Sequence, residues 1–215
     1  MASIPARSSL YFLTMDEGPL DHLRQIEAAC GAGIRWIQLR MKQAGAEEFL
    51  DVAIAAKKIC DAADCALIIN DRVEIAARVR AHGVHLGKSD MPLAEARRLL
   101  GKDYIIGATA NTIEDIRSRA GADYVGLGPY RFTTTKKNLS PILGLEGYRR
   151  IMDELRQESI KIPVIAIGGI GAADIASLMQ TGVQGIAFSG LLVHAGDRIA
   201  AVRLLREEIK MNTIK

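Results

Sequence analysis

Cysteine, aromatic rings and long apolar runs are all scarce in this chain of 215 residues. Its three cysteines, Cys30, Cys60 and Cys65, are odd in number and lack the paired short spacings of a zinc site, so they argue against a disulfide framework or structural zinc and read as small buried residues in a reducing compartment. Aromatic residues make up only 5% against 49% hydrophobic residues overall, which leaves the core to alanine and the aliphatic side chains. No apolar run approaches the roughly 18 residues of a membrane span. The opening MASIPARSSLYFL has no charged segment followed by an apolar core of roughly 7 to 15 residues. These absences predict a cytoplasmic protein with no membrane partner. Net charge is +3 and mild, with no basic patch or reading motif, so nucleic acid is not expected as a partner. No Ser-His-Asp or Cys-His constellation stands out. No Pro- or Ser-rich linker divides the chain, which predicts one domain over residues 1–215.

What the chain does have is a rhythm. Short β-rich apolar runs alternate with longer segments of helical spacing. The strand candidates are residues 9–15, 34–40, 66–71, 83–87, 104–110, 123–128, 163–169 and 185–190; clear helical patterns cover 46–63, 93–101 and 197–210. The strands are nearly continuous in apolar residues, as expected when helices cover a parallel sheet. Several junctions (AACGAGIRWIQL, RVRAHGVHLG, SRAGADYVGLG, MQTGVQGIAFSG) end a helix near a glycine, the residue that best accepts the left-handed conformation past a helix end. Eight such units predict an α/β fold, a single (β/α)8 TIM barrel. An open doubly wound sheet is the alternative, but no G-x-G-x-x-G follows the first strand.

In such a barrel the C-terminal strand ends converge on one mouth, and the active site sits there. Strand two ends in Gln38-Leu39-Arg40-Met41-Lys42, and alternation puts Gln38, Arg40 and Lys42 on one side. Two neighbouring cations suit an anion, arginine by a bidentate fork and lysine as a point charge, although an isolated R-x-K also fits a solvated strand end. Strand three stops at Asn70-Asp71, and strand four leads through Lys88-Ser89 to Asp90 just before Pro92. Either acid could be a helix cap; together they could hold Mg²⁺, which takes one or two carboxylates plus waters and phosphates. Strand five ends at Thr109, with Asn111 and then Thr112, a candidate cap. His85, inside GVHLG, reads better as a hydrogen-bonded barrel histidine than as a catalyst.

After strand six the chain runs from Pro129 to Leu143 through GPYRFTTTKKN, far longer than the typical connection of about two to six residues, and so reads as a lid or binding loop. Its Thr133, Thr135 and Lys136 offer hydroxyls and a charge to phosphate oxygens. Strand seven ends in Ile167-Gly168-Gly169-Ile170-Gly171 and strand eight in Phe188-Ser189-Gly190. A phosphate site at the loops after strands seven and eight recurs in this fold; tight turns are the plainer use of those glycines. The chain thus carries two anion sites, and one phosphorylated substrate would need only the second.

QLRMK, IIND, GVHLGKSD, IGATANT, GLGPYRFTTTKK, IAIGGI and the final FSG resemble, in order and spacing, the motifs of the thiamine phosphate synthase (thiamine-phosphate pyrophosphorylase) family, over nearly the whole chain. The resemblance implies condensation of 4-amino-5-hydroxymethyl-2-methylpyrimidine diphosphate with a thiazole phosphate, giving thiamine phosphate and pyrophosphate. It implies that Gln38, Arg40 and Lys42 hold the pyrimidine diphosphate with Asn70, Thr109 and Lys136, that Asp71 and Asp90 ligate Mg²⁺, and that Thr133, Thr135, Gly169, Ser189 and Gly190 hold the thiazole phosphate. Arg40, Lys42 and Lys136 are then the catalytic cations. In this family the diphosphate is thought to leave before the thiazole nitrogen attacks, so no general base is expected.

There are departures from the family's pattern. Thr109 stands where serine is common, Asn111 where histidine often follows, and Phe132 where many members have proline. The rivals are a thiazole tautomerase of the same superfamily and a non-catalytic phosphate-binding barrel. Neither needs Arg40, Lys42, Asp71, Asp90 and Lys136 together. A homo-oligomer is compatible with the sequence, which specifies no assembly.

Overall fold

The computed structural model describes residues 9–132 and 141–212. Eight parallel strands close into a barrel in chain order, β1 (Leu10–Leu13), β2 (Trp36–Leu39), β3 (Ala66–Asn70), β4 (Gly83–Leu86), β5 (Ile105–Ala110), β6 (Tyr124–Leu127), β7 (Val164–Ala166) and β8 (Gly185–Phe188), the last pairing with the first. Around them stand α1 (His22–Gly31), α2 (Ala46–Ala62), α3 (Val73–Arg78), α4 (Leu93–Leu100), α5 (Ile113–Ser118), α6 (Gly144–Gln157), α7 (Ile175–Gln180), α8 (Gly190–Val193) and α9 (Arg198–Asn212). All eight predicted strands are present. Each is shorter than its predicted run by one or more residues at one or both ends. Among the described residues no helix is long and apolar enough to cross a membrane.

Alternation divides the core in two. Outward residues such as Phe12, Ile37, Leu39, Ile69 and Val84 pack under the helices in one large apolar layer. Full burial of each large aliphatic side chain is worth roughly 1.5–3 kcal/mol, so this layer carries most of the stability. Inward residues form a second, smaller cluster of Tyr11, Leu13, Trp36, Ile68, Ile105, Tyr124, Ile165 and Ala187. Three of its eight residues are aromatic and in mutual contact: Tyr11 stacks on Trp36 at 3.9 Å between centroids, and Tyr124 meets Trp36 edge-on at 4.9 Å. Such pairs add about 0.5–1.5 kcal/mol each beyond area burial.

The junction glycines divide by role. Gly33 and Gly182 take left-handed conformations, with φ of 85° and 97°, as the sequence predicts. In RVRAHGVHLG the left-handed residue is instead Arg80, with φ of 52°. Gly83 there serves close packing, since a Cβ would fall 2.1 Å from the Ile105 carbonyl oxygen. At the foot of the barrel the three cysteines meet: Cys30 Sγ lies 3.3 Å from Cys65 Sγ, and Cys60 is also within hydrogen-bonding reach of Cys30. All three are free thiols. The bond to Cys60 does most to push the Cys30 thiol up, to about 12, and the neighbouring Cys30 thiol raises Cys65 with burial assisting.

Candidate active site

The inward positions of β2 run Trp36, Gln38, Arg40, so the strand's own period delivers Gln38 and Arg40 to the inside of the mouth. Both are buried, Gln38 at 1% exposure and Arg40 at 9%. The Arg40 backbone is fixed by Thr14, whose hydroxyl oxygen accepts from the Arg40 N–H at 2.9 Å. Burial lowers the Arg40 guanidinium from its ordinary value, while Asp16 and Asp71 work in the opposite direction. Arginine starts so high that it keeps its charge. Lys42 reaches across to the Asp71 carboxylate, and its backbone N–H donates to Asp16 Oδ2 at 3.2 Å. Asp16, in the loop after β1, went unnoticed in the sequence reading because that strand end carries no cation or glycine pair to draw the eye.

Neither predicted acid is a helix cap. The cap position of α3 is Arg72 and that of α4 is Pro92, and neither supplies a side-chain bond to its helix. Asp71 instead holds a left-handed backbone, φ 63°, with its N–H bonded to the His85 carbonyl at 2.9 Å. That strained conformation, uncommon outside glycine, aims its carboxylate at Lys42 and Asp90. Asp90 accepts the Gly87 N–H at 2.6 Å and lies within hydrogen-bonding reach of Asp71. Burial would raise both carboxyls. The contacts with Asp90 and Lys42 outweigh it at Asp71, which ends below its usual range; at Asp90 burial and the neighbouring Asp71 together drive the group above it. Two carboxyls in contact are short of positive charge, and that donor set suits a divalent ion that keeps most of its waters.

Asn70 closes this side, buried at the end of β3 in register with His85. Thr109, at the end of β5, is half-buried and hydrogen-bonded to His85 Nε2 at 3.1 Å. His85 is thus a hydrogen-bonded barrel histidine, as expected. Asn111 donates from Nδ2 to the Gly128 carbonyl, which gives the side chain a structural task. Thr112 caps α5 in a reciprocal box with Asp115. Lys88 pairs with Asp115 at 2.6 Å.

On the other side of the mouth the surface is backbone. Gly168 and Gly169 have φ of 97° and 69°, and a Cβ on either would fall 2.8 Å from the chain after β6. That chain is pinned there: Tyr130 and Arg131 donate their N–H groups to the Ile167 and Gly168 carbonyls at 2.9 Å, and Arg131 pairs with the buried Asp174 through two guanidinium nitrogens. The glycine pair therefore answers a close approach of the 129–132 segment as well as a turn. Ser189 precedes α8, which Gly190 opens without a side-chain cap. Thr133, Thr135 and Lys136 lie outside the described residues.

A family profile described as thiamine monophosphate synthase matches residues 10–192. The chain belongs to that family. A relative named thiamine-phosphate synthase from Bacteroides fragilis is 52% identical over 193 residues, covering 89% of this chain and 95% of its own length. One of the same name from Flavobacterium johnsoniae is 42% identical, covering 96% and 99%. Among solved structures, thiamine phosphate pyrophosphorylase from Pyrococcus furiosus superposes with a TM-score of 0.81 at 32% identity, covering 95% of this chain and 96% of that one. The thiamine monophosphate synthase assignment spans the strand ends described above, from β1 to α8.

Proposed function

We propose that this chain, a transferase working as one barrel domain, joins 4-amino-5-hydroxymethyl-2-methylpyrimidine diphosphate to thiazole phosphate, forming thiamine phosphate and releasing pyrophosphate. Its family membership supports the reaction. The observation that carries the mechanism is the convergence of Arg40, Lys42, Asp71 and Asp90 at the ends of β2 to β4, where neither acid serves a helix.

In this reading Arg40 and Lys42 grip the diphosphate, with Gln38, Asn70, Thr109 and Lys136 assisting. The C–O bond to the hydroxymethyl carbon breaks, its electron pair departs with the diphosphate, and the thiazole ring nitrogen then supplies the pair for the new C–N bond. No proton need be removed from that nitrogen. The burden falls on stabilising charge at the departing oxygens, and a preorganised donor in a site poor in water is worth about 3–4 kcal/mol of barrier. Asp71 and Asp90 would hold Mg²⁺, which when bound adds positive charge at the leaving group. Thr133, Thr135, Gly169, Ser189 and Gly190 would hold the thiazole phosphate, the last three by backbone approach. A cytoplasmic location belongs to the same proposal, supported by three free thiols.

The test is to incubate both substrates with and without Mg²⁺ and to look for thiamine phosphate by mass. Product only with both substrates and the metal is expected. Equal product in the presence of chelator would remove the metal's role, and no product under any condition would overturn the reaction.

A further inference from the structure

The proposed pyrimidine site rests on a buried chain of hydrogen bonds that the reaction itself does not use. Gln38 Nε2 donates to Tyr11 Oη at 2.7 Å; Tyr11 Oη lies 2.8 Å from Tyr124 Oη; Tyr124 Oη lies 3.0 Å from His85 Nδ1; and His85 Nε2 lies 3.1 Å from Thr109 Oγ1. The chain crosses the barrel from β2 to β5, and its two ends, Gln38 and Thr109, are both assigned above to substrate. The rings between them are thoroughly buried, Tyr11 at 2% and Tyr124 at 0% exposure. The fold makes room for them with glycines: a Cβ at Gly107 would fall 2.1 Å from the Tyr124 ring, and one at Gly126 would fall 3.2 Å from the His85 ring.

Counting hydrogens gives the chain a direction. Burial raises both tyrosine hydroxyls, so each keeps its proton and has one to donate. Tyr11 accepts from Gln38, so its own hydrogen must go to Tyr124; any other choice leaves a buried donor without an acceptor, which is costly. Tyr124 then donates to His85 Nδ1, which must be a bare acceptor. A neutral imidazole carries its hydrogen on one nitrogen only, so His85 donates from Nε2 to Thr109. The Thr109 hydroxyl, accepting from His85, keeps its own hydrogen to donate, and the Gln38 amide, tied by its nitrogen to Tyr11, keeps its oxygen as an acceptor.

We propose that Tyr11, Tyr124 and His85 are positioning residues that set the hydrogen-bond polarity of the pocket floor, so that Thr109 presents a donor and Gln38 an acceptor to a heterocycle carrying a ring nitrogen and an amino group. This rests on the pyrimidine reading of the site. It explains why apolar strands carry two tyrosines and a histidine inward, where aliphatic residues would pack with less cost.

The experiment uses the full chain with ¹⁵N-labelled histidine. His85 is distinguished from the other three histidines by its loss in His85→Gln. Without substrate, the His85 ring should show hydrogen on Nε2 and none on Nδ1. In Tyr124→Phe, which keeps the ring but removes the link, that preference should be lost. The KM for the pyrimidine diphosphate should then rise about tenfold while that for thiazole phosphate stays within about twofold, the loss of roughly one oriented hydrogen bond. Tyr11→Phe, cutting the chain one step earlier, should act in the same direction and serves if Tyr124→Phe does not fold. Hydrogen on Nδ1 in the unaltered protein, or equal rises in both KM values, would overturn the proposal. Absence of thiamine phosphate synthesis by the unaltered protein would instead sink the reading of the site, and the ring signal separates the two failures.

Discussion

The two halves of the barrel rim offer different surfaces to the proposed substrates. From β2 to β4 the mouth is lined by side chains, with Arg40, Lys42, Asp71 and Asp90 held against one another. At β7 and β8 it is lined by glycine and open backbone. The difference matches the demands of the proposed substrates. A departing diphosphate accumulates charge during the reaction, and interactions that strengthen with that charge raise the rate. A phosphate that merely docks gains nothing from such growth, and fixed amide groups serve it at less cost in side-chain ordering. On the proposed reading, one half serves the transition state and the other serves binding.

The largest effect expected from breaking this contrast is that of Asp71→Asn with Asp90→Asn. Turnover should fall at least about 10³-fold and lose its Mg²⁺ dependence, while calorimetry still detects thiazole phosphate; unaltered Mg²⁺ dependence would contradict the assignment. Next comes Lys42→Ala, for which stopped-flow measurement should find the chemical step slowed by about 10²-fold. A rise in KM alone would move Lys42 to simple binding. On the glycine half, Gly169→Ala should leave kcat nearly intact but raise the KM for thiazole phosphate. It should also cost about 1–3 kcal/mol of stability by denaturant titration, because φ is 69° and the new methyl would meet the Phe132 carbonyl oxygen. An effect on kcat equal to that of Lys42→Ala would erase the distinction.

The smallest effect belongs to Lys88, a rim cation engaged by structure. Burial would raise Asp115, but its bonds to Lys88 and to the Asn111 N–H bring it below its ordinary value. A depressed carboxyl contributes stability above its unfolded value near 3.8, and loses it as pH falls through the lower folded value. Lys88→Met should therefore cost under about 1 kcal/mol at neutral pH. Acid unfolding curves of the variant and parent should converge below that range.

The fold was legible because parallel strands covered by helices read as continuous apolar runs, and eight of them with helical spacing between leave few architectures. The rim residues were legible because alternation along QLRMK needs only local geometry. Whether Asp71 and Asp90 were caps was not, since a cap and a ligand look alike until the neighbouring backbone is seen. Asp16 was missed for want of a local pattern. The link through Tyr11, Tyr124, His85 and Thr109 depends on the register of four separate strands, which no periodicity along one strand encodes.

The meeting of Cys30, Cys60 and Cys65 at the barrel's foot has a practical side. Cys60 and Cys65 are buried, and the Cys30 thiol, pushed up by its neighbours, is a poor nucleophile, so alkylating dyes at neutral pH would find little purchase on the natural chain. A lone cysteine introduced among the rim loops would take up a fluorophore almost by itself. Substrate arrival could then be watched optically without first stripping the native sulfur.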